Sequence, residues 1–449
     1  MASRRRRLSD TFDPRMREGF IAWLKTKRHK DRLLKALEGN RDSTDRKLLY
    51  QLGKLEEEWV LSYHKGLSPV QEQYQLAWYC FNQHLHKETI SYLEAAEKLI
   101  GQLPQSIHNA EYAWRCASLR LQIAEKLNEW DHVEALFAAT HSAQQHFLLL
   151  EQADLGCRML YINVLGSTPA LEKKVDIIAD FLQLNVLEHP SQLAVLYTAC
   201  FKMLHAPTDL AHYFRLKELL LTIDLKQVSK GDFETIFSFY KGYITARVNQ
   251  GDLDFEKELL ESFRFAIDNH IFYEDEHLPF AVYINAAAIA LRQKEYEWAH
   301  HFIENKYQNI LPEERDSAYA FTKGLYSYFT DQLEDAMMWF SKVRFEHAIY
   351  KLHTRHMQLK TAYKLRNEDL MEAQANSLKL FLYRNKGLYK NHRESFNNFL
   401  RFFLQLQTAK KRGPNKLAKL RGTINSHPLL ADKKWLLQEI DNLLAEKAS

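Results

Sequence analysis

The sequence predicts an all-α protein, an α-solenoid of antiparallel helical hairpins with helical caps at both ends. Three segments that begin at Tyr296, Leu333 and Leu370 repeat one pattern at a constant interval of 37 residues. A fixed period of this size, with helical periodicity inside each unit, is typical of stacked helical hairpins. The 14 glycines and 10 prolines fall mostly where a helix would stop or start, and no alternating strand pattern of useful length is present.

The N-terminal part is predicted to be a basic tail followed by a helical cap. Residues 1–12, which include the run Arg4 to Arg7, are expected to be disordered. Because no apolar core follows that run, a signal peptide is not predicted. Residues 13–66 form the predicted cap, in which Asp13-Pro14 suits the start of a helix.

Residues 67–275 are predicted to form degenerate helical hairpins. Ser68 and Gln71 have the spacing of a capping box, which marks the first helix of this region. The second helices of two hairpins show a small, large, small spacing, as Thr89-Leu93-Ala96 and Val133-Phe137-Thr140. The register of the repeats between about 150 and 275 is left open.

Residues 276–386 are predicted to hold the clear repeats of about 37 residues. Ala299, Ala336 and Ala373 occupy one position in successive units, and Gly324 lies at a small position of the helix before Ala336. Small side chains allow the two helices of a hairpin to cross closely, so we expect these four residues to be packed. The spacing continues in each unit, as Ala299-Ile303, Ala336-Phe340-Val343 and Ala373-Ser377-Leu380.

Residues 387–449 are predicted to be a C-terminal helical cap that contains a flexible basic linker at 409–422. A solenoid must cover its last apolar face, which makes capping the default interpretation. The alternative is a free amphipathic helix that serves dimerisation or partner binding. The residues expected to be buried are Phe396, Phe399, Leu400, Phe402, Phe403 and Leu406, followed by Trp435, Leu436, Ile440, Leu443 and Leu444.

The repeat resembles the tetratricopeptide type, with its small, large, small spacing and a closing Leu311-Pro312. The resemblance implies a right-handed superhelix and a binding role rather than an enzyme. In that family the first helix of each hairpin lines a concave groove that takes peptides or helices. Carried onto this sequence, the groove positions are Tyr74, Trp78, Phe81, Phe321, Leu325, Tyr328, Arg355 and Gln358.

An apolar, aromatic groove of this kind favours an amphipathic helix or an apolar peptide as its occupant. The competing interpretation is that the aromatic side chains are core, or that the chain's own helices fill the groove. Alanine at Trp78 and Phe321 distinguishes the two, because loss of a core side chain unfolds the protein and loss of a groove side chain does not.

Positive charge is concentrated at two places in a chain whose net charge is +4. Outside Arg4 to Arg7 and the basic segment, the chain carries 51 basic and 57 acidic residues. A nucleic acid or another polyanion is therefore expected to bind at these places, and a solvated linker is the alternative. The candidate contacts of the basic segment are Lys410, Lys411, Arg412, Lys416, Lys419 and Arg421.

No motif for catalysis, cofactor binding or metal binding is present. The sequence lacks the GxSxG, HExxH and phosphate-loop patterns, and His353 and His356 have no carboxylate set against them at ligand spacing. The four cysteines, in apolar contexts, are expected to be reduced core thiols of a cytoplasmic protein. No apolar run reaches the roughly 18 residues of a membrane span, so no membrane partner is expected.

We therefore expect a non-catalytic scaffold or adaptor that binds a protein or peptide and needs no cofactor. A nucleic-acid-associated adaptor that uses residues 4–7 and 410–421 is the alternative, with nucleic acid as the weaker candidate partner. A peptide-sensing regulator is a further alternative, on architecture alone.

Overall fold

A computed structural model describes residues 14–27, 46–62, 66–165, 172–184, 191–252, 254–385 and 387–446. All regular secondary structure in these ranges is helical, which confirms the predicted all-α class. The only β pairing among them is two isolated bridges, Gln105 with Val228 and Glu274 with His277. The tail at Arg4 to Arg7 lies outside the described residues.

The chain divides into two compact units, Met1–Gln250 and Gly251–Ser449. The helices of the first unit are α1 (Pro14–Leu24), α2 (Arg46–Leu61), α3 (Pro69–Asn82), α4 (His86–Gln102), α5 (Ile107–Leu127), α6 (Val133–Leu165), α7 (Glu172–Leu184), α8 (Gln192–His205), α9 (Leu210–Thr222) and α10 (Lys230–Asn249). A short 3-10 helix, Trp130–His132, precedes α6.

The second unit begins with α11, and its helices are α11 (Asp254–Asp268), α12 (Phe280–Arg292), α13 (Tyr296–Lys306), α14 (Pro312–Phe329), α15 (Leu333–Lys342), α16 (Ala348–Lys364), α17 (Glu368–Arg384), α18 (Lys390–Arg412), α19 (Pro414–Ser426) and α20 (Lys433–Glu446). A second 3-10 helix, Tyr307–Asn309, follows α13.

The N-terminal helices α1 and α2 cover the first hairpin, α3–α4. Phe20 and Leu24 of α1 and Trp59 of α2 form one buried cluster with Leu76 and Cys80 of α3. This contact removes the apolar face of α3 from water, which is the role expected of a cap.

The start of α3 is fixed by the capping box that the sequence predicts. The backbone N–H of Gln71 donates to Ser68 Oγ (3.3 Å), and the backbone N–H of Ser68 donates to Gln71 Oε1 (2.8 Å). These bonds satisfy donors that the first turn of a helix leaves without a partner.

The predicted packing of the first hairpin is confirmed, and that of the second is wrong. Thr89, Leu93 and Ala96 are all buried in α4. Phe137, by contrast, is 52% exposed. The reason is that Val133 opens a single helix of 33 residues, α6, whose buried side is turned away from Phe137.

In the second unit, the hairpins α12–α13, α14–α15 and α16–α17 follow one another, and α12, α14 and α16 pack in succession. Ala299 and Ala336 are fully buried, as predicted. A Cβ atom on Gly324 would lie 2.6 Å from Phe340 Cδ1, so the small residue is required for the contact between α14 and α15.

The predicted register of the third repeat is wrong. Ala373 and Leu380 are exposed, and Ala375 and Leu378 of α17 face the core instead. The buried side of α17 packs into one cluster with the aromatic-rich helix α18 rather than against a further repeat. The neighbour of α17 therefore sets its orientation, and the repeat period does not.

The three last helices form the C-terminal cap. All six residues predicted to be buried in α18 are buried, as are Trp435, Leu436, Ile440 and Leu443 of α20. The prediction of a flexible linker at 409–422 is wrong, because α18 runs to Arg412 and α19 begins at Pro414. Buried Ala409 and Leu417 anchor the segment on both sides of the turn.

No helix within the described ranges is both long enough and apolar enough to cross a membrane. The four cysteines are buried free thiols. Burial raises the pKa of Cys80 and of Cys116 to about 12, so both are protonated at neutral pH.

Candidate functional site

Most of the residues predicted to line a concave groove are core residues. Trp78 alone of the aromatic positions is exposed, at 42%. The ring of Phe321 packs on Phe340, with centroids 5.8 Å apart, and stabilises the contact between α14 and α15. The side chains that are buried are Tyr74, Phe81, Phe321, Leu325 and Tyr328.

The two polar groove positions, Arg355 and Gln358, are half-buried on α16. The Arg355 guanidinium lies 4.5 Å from the ring centroid of Phe381, and its Nη1 donates to the backbone carbonyl of Lys351 (3.2 Å). Burial lowers the pKa of Arg355 from its ordinary value. Arg355 therefore supports the contact between α16 and α17, and its role toward a partner stays a prediction.

An accessible apolar groove lies instead in the first unit, between α7 and α9, with α8 as its floor. Its volume is about 700 Å³. None of its lining residues is among the predicted groove positions. They are Leu149, Ala179, Leu182, Gln183, Ala194, Val195, Thr198, Ala199, Phe201, Lys202, His205, His212, Arg215 and Leu219.

The floor of this groove is made of small side chains on α8. Ala194, Thr198 and Ala199 face the groove, and the opposite side of the same helix packs on α6. That packing is close, because a Cβ atom on Gly156 would lie 2.5 Å from Phe201 Cε2. Because the floor residues are small, space remains over α8, and helices α7 and α9 form the walls of the groove.

The position of α8 is fixed by polar contacts at its beginning. The backbone N–H of Ala194 donates to Ser191 Oγ (3.2 Å), which caps the helix, and His146 Nε2 lies 2.7 Å from the same oxygen. The Tyr197 hydroxyl donates to Asp232 Oδ1 (3.0 Å) on α10. These contacts hold the floor in place before any ligand is bound.

Basic side chains lie at the rim of the groove. His205, His212 and Arg215 each have a carboxylate within 4 Å. Lys202 is exposed and forms no ion pair with any residue in the described part of the chain. The groove thus offers an apolar floor and one uncompensated positive charge at its edge, which suits an apolar body that carries a carboxylate.

Exposed apolar side chains recur at intervals of seven residues on α6, α7 and α9, three helices that contribute to the groove lining. Ile177 and Leu184 of α7 are 68% and 83% exposed. Large apolar side chains exposed close together mark interaction surfaces. The seven-residue spacing was the signal in the sequence, and it recurs as Leu148, Leu155 and Ile162 on α6, Ile177 and Leu184 on α7, and Phe214 and Leu221 on α9.

The basic segment lies on two helix ends. Lys410 to Arg412 form the last turn of α18, and Lys416, Lys419 and Arg421 lie on α19, all exposed. Arg421 Nε donates to Asp441 Oδ1 (2.6 Å), so its charge is compensated. The segment presents positive charge to solvent from helices.

A partly buried polar cluster in the second unit joins α16 to the start of α20. Lys360 Nζ donates to Asp432 Oδ2 (2.6 Å), and His356 Nε2 lies 3.5 Å from the same oxygen. Burial alone would raise the pKa of Asp432, but the charge of Lys360 outweighs it and lowers that pKa.

The two histidines of this helix are neutral at pH 7. Burial lowers the pKa of His353 to about 4 and that of His356 to about 3. Both rings contact Phe396 edge-on. Nowhere in the described ranges are three or more His, Cys, Asp or Glu side chains grouped as metal ligands would be. The ring of His356, which is 5% exposed, is packed in the core of the second unit.

No model of a known protein family matches this chain, and a search of curated proteins finds no match either.

Proposed function

We propose that this protein is a non-catalytic adaptor of tetratricopeptide-like architecture, whose first unit binds an amphipathic helix of a partner protein. The observation that carries the proposal is the groove between α7 and α9, with its floor of small side chains on α8. The partner helix lies over α8 with its apolar face toward that floor.

The chemistry of the groove favours a helix with acidic residues beside its apolar stripe. Helices dock in apolar grooves through side chains spaced at i, i+3, i+4 and i+7, and Ala194, Thr198 and Ala199 leave space for such side chains. Lys202, which is exposed at the rim, pairs with a carboxylate of the partner. The exposed apolar residues of α7 and α9 extend the contact beyond the groove.

The repeated hairpins support the architectural part of the proposal. The 37-residue period, the close approach of α14 and α15 at Gly324, and the succession of α12, α14 and α16 are all features of a tetratricopeptide-like array. A right-handed superhelix is part of the proposal, and an experimental structure of the full chain tests its hand.

Selection from a displayed library of helical peptides tests the binding proposal with the full chain as bait. We expect enrichment of peptides with an apolar stripe flanked by aspartate or glutamate. The variant Ala199→Trp fills the groove and is expected to lower the affinity of selected peptides at least about 10-fold. Ala211→Trp adds the same bulk to an exposed position of α9 outside the groove lining, and it is expected to leave the affinity unchanged.

In the same experiment, the variant Lys202→Glu tests whether the charge of Lys202 contributes to peptide binding. It is expected to weaken acidic peptides and to strengthen peptides whose flanking residues are changed to lysine. Failure to enrich any amphipathic peptide, or equal binding by the Ala199→Trp and Ala211→Trp variants, would show that the groove is not the docking site.

A further inference from the structure

The strongest charge asymmetry of the chain extends well beyond the basic segment. Residues 373–431 contain twelve lysines and arginines and a single acid, Glu394. This stretch carries +11, whereas the whole chain carries +4, so the rest of the chain carries −7. Nearly all of these lysines and arginines lie on helices α17, α18 and α19. A stretch this positive in an otherwise acidic chain points to a polyanionic partner.

A cleft between α17 and α18 lies within this positive stretch. Its volume is about 760 Å³, and Leu380 and Leu382 supply its apolar surface. Its polar lining consists of two cations, two carboxamides and one phenol, namely Lys379, Arg393, Asn376, Asn397 and Tyr383.

Four polar side chains of the cleft have no side-chain partner among the residues that the structure describes. Neither Lys379 nor Arg393 forms an ion pair with a residue that the structure describes. The carboxamides of Asn376 and Asn397 likewise make no hydrogen bond within that part of the chain. Four side chains whose hydrogen-bond donors have no partner in the described residues therefore line one cleft.

Two tyrosine rings stand exposed beside these donors. Tyr383 lies in the last turn of α17 and is 81% exposed, and Tyr389 immediately precedes α18 and is 83% exposed. A large aromatic side chain gains nothing in folding from such exposure. Exposed aromatic faces next to cations are the means by which proteins hold single-stranded nucleic acids, because each base offers a flat face for stacking.

We propose that the cleft between α17 and α18 binds single-stranded RNA. A base stacks on Tyr383, Lys379 and Arg393 contact the flanking phosphates, and the strand continues along the positive surface of α18 toward Lys411 and Arg412. Duplexes are excluded, since their base faces are already stacked. An acidic protein segment would compensate the cations but would leave the exposed tyrosine rings without a flat partner.

The two carboxamides of the cleft favour RNA over DNA as its ligand. Asn376 and Asn397 both donate and accept hydrogen bonds, and so does the 2′-hydroxyl that distinguishes RNA from DNA. The RNA site lies in the second unit and does not depend on the helix-binding groove of the first.

Fluorescence anisotropy with the full chain and a labelled oligouridylate of about 15 nucleotides tests the proposal. We expect binding that weakens steeply with salt. Tyr383→Ala is expected to lower the affinity about 5- to 100-fold, and Tyr383→Phe, which keeps the stacking face, to leave it within about twofold.

The charged residues have their own matched comparison. Lys379→Gln with Arg393→Gln is expected to reduce the slope of log K against log salt by about 0.7 for each lost phosphate contact. Lys87→Gln with Lys226→Gln removes the same charge from exposed positions of the first unit and is expected to leave the slope unchanged. Four of the five residues are exposed and Arg393 is half-buried, and the melting temperatures of these variants serve as the folding control.

Three results would overturn the proposal. The first is no anisotropy change up to about 0.1 mM protein at low salt, where even nonspecific binding is detected. The second is full affinity in the Tyr383→Ala variant. The third is equal or tighter binding of an oligothymidylate or of a duplex of the same length.

Discussion

Lys360 and Asp432 form a partly buried ion pair, 2.6 Å between Nζ and Oδ2, that ties helix α16 to the residue just before α20. Asp432 has a left-handed backbone conformation (φ 49°), and its carbonyl accepts from the backbone N–H of Leu436. One residue therefore starts the last helix and neutralises a buried lysine at the same time. The C-terminal cap is fastened to the rest of its unit by charge as well as by apolar packing.

Asp432→Asn is expected to destabilise the second unit by about 3 kcal/mol, because Lys360 stays buried without its counter-charge. Asparagine tolerates the left-handed conformation, so the change isolates the effect of charge. Adding Lys360→Met to Asp432→Asn is expected to recover most of the loss, since the uncompensated charge is then gone. Urea unfolding measures both. Equal stability of the wild type and Asp432→Asn would show that the pair contributes nothing.

The second unit is expected to lose stability as the pH falls from about 6.5 toward 4. In the folded chain the pKa of His353 is about 4 and that of His356 about 3, below the ordinary value. At a pH between the folded pKa of a histidine and its ordinary value of 6.5, the unfolded chain binds more protons than the folded chain. Acid therefore favours unfolding by up to about 1.4 kcal/mol per pH unit for each histidine.

Asp432 contributes to this loss of stability only at lower pH. Its pKa is lowered in the folded chain, so its contribution is lost as the pH falls toward that lowered pKa. Melting temperatures between pH 7.5 and 4.5 measure the effect. In the His356→Leu variant, the slope is expected to fall by about half. A melting temperature that does not change over this range would contradict the buried neutral state of the histidines.

Phe321→Ala is expected to cost about 3–5 kcal/mol, because the ring is 4% exposed and packs on Phe340. Trp78→Ala serves as the comparison, since 42% of that side chain is exposed and a smaller loss, about 1 kcal/mol, is expected. Circular dichroism melts of the two variants measure the difference. If both melt like the wild type, the assignment of Phe321 to the core is wrong.

Gly324→Ala is expected to destabilise the protein by about 1–3 kcal/mol, because the new methyl group would collide with the Phe340 ring in the contact between α14 and α15. Gly422→Ala is the matched control. It lies in the exposed part of α19 with no atom within 4 Å of an added Cβ, so it is expected to stabilise that helix by about 0.5–1 kcal/mol. Thermal unfolding compares the two, and a stabilising Gly324→Ala would refute the close approach.

The sequence was sufficient where structure depends on local pattern. The capping box at Ser68 followed from local spacing, the small residues at Ala299, Ala336 and Gly324 from the repeated pattern of the hairpins, and the burial of Trp435 from helical periodicity. Such features depend on residues close together in the chain, so one sequence is enough to find them.

It was insufficient where a helix is oriented by a distant neighbour. Ala373 matches the repeat in sequence, yet α18 turns α17 so that Ala375 is buried instead. The groove over α8 combines residues from Leu149 to Leu219 whose pairing no local spacing defines. Likewise Lys379 and Arg393 meet at one cleft only because α17 and α18 pack together.

The partners of the ion pair Lys360 and Asp432 are 72 residues apart in the chain. During synthesis the lysine therefore emerges from the ribosome well before its carboxylate. A chain that terminates between Arg412 and Asp432 has a lysine without its counter-ion and an aromatic face on α18 that α20 does not cover. Incomplete translation products of this protein are thus expected to be recognised by proteases, while the full-length chain escapes them.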